Sequence, residues 1–307
     1  MKNTVSYIVA AVLCLMPLAA GAQALPYVAS ETNAVSLSKA GADVAEISNI
    51  ANAAFTNAAA IPYSDLKADF AAGYTMWQPS MVKSNIINVA GAYKLNDKMG
   101  VAAGFRYGMN PSYQVTDESG SSKGTFTPSD MQVNVGFAWR FLPYLSAGVN
   151  IGYASSSLAK DYSYGALTSD VFLMSKFSDF RAALGVSNLG TKVKSLAGVS
   201  YALPASATLG AGYGKVFAEN HGVDVQLEAN YYFTGGLTAA VGAEYTFGGL
   251  ASVRAGYNFS ADSPLPSYAS VGLGAKVMGI KLDLAYLVAA GDSPMKNTLA
   301  LQLGYCF

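Results

Sequence analysis

Charge is scarce in this chain. Its 307 residues carry 19 basic and 19 acidic side chains, 12% in all, beside 52% hydrophobic residues. The net charge is zero and no basic run occurs, so nothing recommends a nucleic-acid partner. After the first two dozen residues, no apolar stretch approaches the roughly twenty residues that a membrane-crossing helix needs. Histidine is limited to His221, read as a solvated residue of a turn, which leaves no His-based triad and no His-rich metal site. Cysteine is limited to Cys14 and Cys306. Cys14 lies in the amino-terminal apolar run with Leu13 where a lipoprotein signal requires a small residue, so lipid attachment there is not expected. Cys306 then has no partner for an internal disulfide and reads as a quiet small side chain. The glycine-rich run Gly210-Ala211-Gly212-Tyr213-Gly214-Lys215 lacks Walker spacing and opens no helix. No enzyme, cofactor or metal is expected.

The hydrophobic residues that are present must therefore be dispersed. The exception is the amino terminus, where Lys2, an apolar core from Ile8 to Leu18 and the small residues Ala20-Gly21-Ala22 read as an export signal over 1–22, with cleavage after 24 as the alternative. The apolar core is too short to cross a bilayer of roughly 30 Å. Beyond it, 31 Gly, 20 Tyr and 14 Phe suit a membrane β-barrel, which uses glycine where strands bend and aromatic residues at both interfaces.

From Leu66 onward, apolar and polar or small residues alternate with period two, as in strands with two unlike faces. Val223, Val225, Leu227, Ala229, Tyr231 and Phe233 share one face, and Asp224, Gln226, Glu228 and Asn230 the other. Ala251, Val253, Ala255, Tyr257 and Phe259 repeat the pattern against Arg254 and Asn258. Segments of about ten residues match tilted membrane strands. They fall near 66–77, 85–94, 100–109, 131–141, 144–155, 166–177, 180–188, 206–217, 223–233, 237–247, 250–259, 268–278, 280–289 and 297–307. The expected fold is all-β, a transmembrane antiparallel barrel of about fourteen strands over 65–307. Connections after even strands are short. Those after odd strands are mostly longer, including 110–130 and 189–205, as expected for periplasmic turns and external loops.

A soluble barrel would carry charge outward. Here Arg106, Arg140, Glu228, Glu244, Arg254, Lys276, Lys281 and Asp283 share the face opposite the large apolar side chains. A cationic side chain facing lipid near the bilayer centre costs about 2–4 kcal/mol, so these charges are expected to line the lumen. The segment 166–177 fits least well, because Phe172 and Met174 share a face with Asp170 and Lys176. Closing a hairpin through Gly248, Gly249 and Leu250 sets Glu244 directly opposite Arg254, read as structural support for the wall, with a selectivity or gating role as the alternative. Leu299, Leu301, Leu303, Tyr305 and Phe307 alternate to the last residue, with Tyr305 and Phe307 read as a signal to the barrel-assembly machinery.

The segment 23–64 is too apolar for a free linker. Val44, Ile47, Ile50, Ala51 and Ala54 have helical spacing, and the segment is expected as a partly helical plug folded into the lumen, with a periplasmic helix lying against another protein as the alternative. Ser36-Leu37-Ser38-Lys39-Ala40-Gly41-Ala42, followed by Phe55-Thr56-Asn57-Ala58-Ala59-Ala60-Ile61, resembles the amino-terminal segment of the FadL and PorV/PorQ superfamily of outer-membrane barrels. Tyr74-Thr75-Met76-Trp77, Lys94-Leu95-Asn96-Asp97 and Phe105-Arg106-Tyr107 look more like the PorV/PorQ branch. Ala58 departs from the family's usual proline. The resemblance places Phe55, Asn57, Ala58, Ala59 and Ile61 inside a fourteen-stranded barrel of the bacterial outer membrane, embedded in its lipid. It implies a non-enzymatic accessory in protein export of the type IX kind, with secreted proteins or secretion components as partners. The alternative it leaves open is a FadL-like channel that takes up hydrophobic small molecules. A general porin fits less well, given the Ala and Gly on the inner face.

Overall fold

The computed structural model describes residues 23–160, 162–195, 198–218, 220–261 and 266–307. The expected export signal, with Cys14, lies outside them. In chain order the strands are β1 (Ala68–Trp77), β2 (Ser84–Lys94), β3 (Met99–Met109), β4 (Tyr113–Thr116), β5 (Ser122–Phe126), β6 (Ser129–Leu142), β7 (Leu145–Ala159), β8 (Tyr162–Phe177) and β9 (Phe180–Gly190). There follow β10 (Val193–Lys194), β11 (Ser200–Tyr201), β12 (Ser206–Phe217), β13 (His221–Tyr232), β14 (Leu237–Phe247), β15 (Ala251–Ala261), β16 (Tyr268–Val277), β17 (Ile280–Val288) and β18 (Leu299–Cys306).

Fourteen of these close one antiparallel barrel in the order β1-β18-β17-β16-β15-β14-β13-β12-β9-β8-β7-β6-β3-β2. The remaining four form two small hairpins, β4-β5 and β10-β11, in the two longest loops. The barrel closes where Asp69 meets Cys306 and Met76 meets Leu299. Beyond that register, the Lys67 and Ala68 N–H groups donate to the Phe307 carbonyl at 2.7 and 2.9 Å. Closure satisfies every edge, the condition for crossing lipid with strands.

Period-two patterning accounts for the two surfaces. Phe70, Val89, Val135, Phe137, Ile151, Leu173, Leu227 and Leu303 are exposed on the outside, while Asn88, Arg106, Asn134, Asn150, Arg181, Gln226, Asp283 and Gln302 are buried inside. An apolar outer band with charges kept inward is the arrangement that lipid demands. At the short-turn end, Gly248 and Gly249 both take positive φ, 60° and 67°. They begin the three-residue connection, 248–250, between the paired residues Phe247 and Ala251, and glycine takes such angles without steric cost.

Two sequence expectations need correction. Val44, Ile47, Ile50, Ala51 and Ala54 lie in turns and irregular backbone and not in a helix. Among the described residues before β1, the helical structure is α1 (Ala34–Ser38) and 3-10 turns at Pro26–Ala29 and Ala58–Tyr63. The backbone in between finds its partners on the wall. The Asp43 and Val44 N–H groups donate to the Glu228 carboxylate at 3.0 and 2.9 Å, and those of Ile50 and Ala51 to Asp69 at 3.0 and 3.1 Å. Such acceptors replace the intrahelical carbonyls that a helix would use. His221, expected in a turn, instead opens β13, with its Nδ1 2.7 Å from the Tyr245 hydroxyl and its ring beside Phe217 and Phe247. The rings of Phe217 and Phe247 make this an interfacial aromatic cluster.

Candidate functional site

Residues 34–63 fill the lumen, and glycines on the inner wall make room for them. A methyl group at Gly148 would strike the backbone of Ala58 and Ala59, one at Gly256 the backbone of Lys39 and Ala40, one at Gly100 the side chain of Ile61, and one at Gly104 the ring of Phe55. The wall is thus cut to the shape of this segment. Phe172 and Met174, anomalous as lumen residues, pack with Val44, Ala59 and Tyr63 in one apolar cluster. The sequence anomaly in β8 is the plug's contact.

Of the plug residues named from the sequence, Phe55 lies under the Arg106 guanidinium at 3.9 Å. Asn57 caps the turn Ala58–Tyr63, its side chain accepting from the Ala59 N–H at 2.9 Å while its amide donates to the Val44 carbonyl at 2.7 Å. Ala58 takes the first position of that turn, where a proline's missing N–H would cost nothing, so the Asn57 cap sets the backbone here. The Ala59 carbonyl accepts from Ser146 Oγ at 2.7 Å, and Ile61 is fully buried.

The eight inward charges divide by task. Arg254 donates to Glu244 at 2.9 Å and to Asp283 at 2.7 Å, bracing three wall strands. Arg106 donates to the Ser30 carbonyl at 3.0 Å, Glu228 holds the turn at 43–44, and Arg140 lies over the Tyr63 ring at 5.6 Å. Lys281 pairs with Asp69 at 2.5 Å, and Asp69 in turn holds 50–51. Lys276 is exposed at the rim, facing Lys281 across the β16-β17 pair. Cys306 is buried on the inner face.

Sequence reasoning missed a buried ion pair inside the plug that also reaches the wall. Lys39 is wholly buried and paired with Glu46, whose carboxylate also accepts from Gln226 Nε2 at 2.7 Å. Burial pushes the Glu46 carboxyl up, but the charges of Lys39 and Arg181 outweigh it and hold the group well below the usual carboxylate range. Asp43 goes the other way. Burial, then the charges of Glu31 and Glu228, push it well above that range. The available signal was Lys39, Asp43 and Glu46 within eight residues of a segment that is otherwise rich in Ala and Gly.

Two chambers lie at the long-loop end, above this filling. The upper has a volume of about 610 Å³ and is lined largely by apolar and aromatic residues, among them Tyr27, Trp77, Ile86, Leu158, Tyr164 and Val193. The lower, about 140 Å³, is polar, with Glu31, Asp43, Arg106, Asp170 and Glu228 on its walls. Ala29, Ser30 and Tyr232 line both. Beside the lower chamber the β8-β9 register shifts between Ser169 and Val171. There Asn188, at φ 55°, donates its N–H to Asp170 at 2.7 Å. A bulge of this kind re-aims side chains next to a site.

Solved structures share this architecture. The toluene transporter TodX of Pseudomonas putida superposes with a TM-score of 0.62 at 13% identity, covering 89% of this chain and 96% of that one. The toluene transporter TbuX of Ralstonia pickettii gives 0.59 at 11% identity, over 89% and 97%. A FadL homologue of Pseudomonas aeruginosa gives 0.52 at 12% identity, over 93% and 99%. The fold is FadL-like. At such identities the likeness is one of fold alone, and none of these three is a PorV/PorQ protein. No protein-family model matches the chain, and no curated protein matches it in sequence.

Proposed function

We propose that the protein is a non-enzymatic channel of the bacterial outer membrane that takes up small hydrophobic molecules, with residues 23–64 as its hatch. The observation that carries this reading is the apolar chamber of about 610 Å³ at the long-loop end, directly above a lumen filled by the plug. A concave, mainly apolar cavity with few polar groups is the usual form of a small-molecule site. Support also comes from the FadL-like fold, because two of the similar structures are of toluene transporters. The export reading rested on local resemblance to the PorV/PorQ branch, and those structures favour the uptake alternative. In this reading Phe55, Asn57, Ala58, Ala59 and Ile61 anchor the hatch at its lower end, the inward charges hold it, and Tyr305 and Phe307 serve assembly.

Cells whose outer membrane excludes apolar solutes should accumulate radiolabelled toluene faster, and saturably, when they make this protein. Gly108→Trp should abolish the gain. Gly108 lines the upper chamber, and a side chain there meets the Tyr27 ring. Equal accumulation with and without the protein would refute the uptake reading.

A further inference from the structure

The charges around the two chambers are strongly one-sided. Among the described residues that line the upper chamber, the sole charged side chain is Asp130. The lower chamber adds Glu31, Asp43, Asp170 and Glu228 against Arg106 alone. Arg106 is already engaged, since it donates to the Ser30 carbonyl, stacks on Phe55 and sits in the field of Glu31, Asp43 and Asp170. A molecule entering from the loop side therefore meets an apolar room and then an acidic one.

The upper chamber also holds an unused polar group. The Tyr27 hydroxyl is buried without a hydrogen-bond partner. Its ring lies against Gly108, and the Asp130 side chain flanks the same glycine. One Asp130 oxygen accepts from Asn110 Nδ2 at 2.9 Å, leaving the other as an acceptor. A buried polar atom without a partner is costly, so a ligand that supplies one gains specificity.

Resting on the uptake reading, we propose that the cargo is an apolar molecule bearing a hydroxyl or a protonated amine, and that the acidic lining excludes carboxylates. The head would engage the Tyr27 hydroxyl and the free Asp130 oxygen, and the apolar body would lie among Trp77, Ile86, Leu158 and Val193. A carboxylate of the same shape would have to face Asp130 with no cation lining the chamber to meet it, in a site where low dielectric strengthens repulsion.

The chain has two tryptophans, and Trp139 is exposed on the outer surface. A Trp139→Phe background therefore makes the fluorescence of Trp77 a report on the chamber. Purified protein in detergent at pH 7 would be titrated with 4-ethylphenol, 2-phenylethylamine, ethylbenzene and 4-ethylbenzoate. The phenol and the amine should bind at least tenfold more tightly than the benzoate, with ethylbenzene between. Tyr27→Phe should remove the phenol's advantage over ethylbenzene, and Asp130→Asn should bring the benzoate closer to the rest. Benzoate binding as tight as the phenol's, or an order unchanged in both variants, would overturn the inference while leaving uptake of apolar molecules standing. Saturable quenching by none of the four would overturn the uptake reading and the inference together.

Discussion

Each wall strand is hydrogen-bonded to a neighbour on either side, whereas residues 34–63 take many of their bonds from wall side chains. The wall repeats one pattern fourteen times and needs no partner beyond itself. The plug has short helical pieces and no repeat, and its shape is written partly in the wall, as glycines on the inner face. One chain thus contains a region that folds by periodicity and another that folds by fit. A change that disturbs fit should release the plug and leave the barrel intact.

The largest effect is expected from filling the glycine seats. Gly148→Val together with Gly256→Val places side chains where the plug's backbone runs. Valine suits a strand, so the wall should form, while overpacking costs typically 1–3 kcal/mol at each site, and more where backbone blocks relief. The expected result is a barrel that still migrates faster unboiled than boiled, with planar-bilayer conductance raised at least severalfold. Unchanged conductance would mean that wall and plug are less closely fitted than the glycines imply.

An intermediate effect is expected at Lys39. Replacing it by Met leaves Glu46 buried and unpaired, a loss of roughly 3–5 kcal/mol for a buried pair broken on one side. Hydrogen exchange at the Val44 and Ile50 amides, both donors to wall carboxylates, should accelerate by about two orders of magnitude. Amides in the middle of β7 should not change. Lys39→Met with Glu46→Leu should recover much of the protection, because a matched apolar pair carries no desolvation penalty. Failure of the double variant to recover would assign the single variant's effect to lost packing.

The same contrast explains what could be read in advance. Alternation such as Val223 to Phe233 fixes a face at every second residue, so strand number, register and the inward side of Arg254 were legible. In β8 the inward Phe172 and Met174 looked like a fault in the pattern because their partner was a segment far away in sequence. The spacing of Val44, Ile47, Ile50, Ala51 and Ala54 suggests a helix, but polar residues between them, Glu46 and Asn52, are buried as well, so the apolar ones mark no single face. Glycine counts pointed to a barrel but not to the seats of the plug. Tyr27 and Asp130 lie far apart in the chain and meet only at Gly108, so the upper chamber left no local signature.

The smallest effect is expected at Asp43, where the sign separates two kinds of buried charge in the plug. Glu46 is held low, so it stabilises the seated plug above the ordinary glutamate value of about 4.3. That contribution is lost only as pH falls through its depressed folded value. Asp43 is pushed up by burial and by Glu31 and Glu228. Its neutral form therefore suits the seated plug, and stability is lost as pH rises through the raised folded value. Asp43→Asn removes that charge and keeps the backbone N–H that donates to Glu228. At pH 7 the variant's plug amides should exchange more slowly than the wild type's, by about tenfold or less. The difference should shrink on acidification and vanish below about pH 4, where Asp43 is protonated whether the plug is seated or free. Protection in the wild type should then be greatest at mildly acidic pH, with Asp43 neutral and Glu46 still ionised. Variant exchange that is faster at pH 7, or a difference that grows on acidification, would mean that Asp43 holds the plug as an anion and that Lys39 serves both carboxylates.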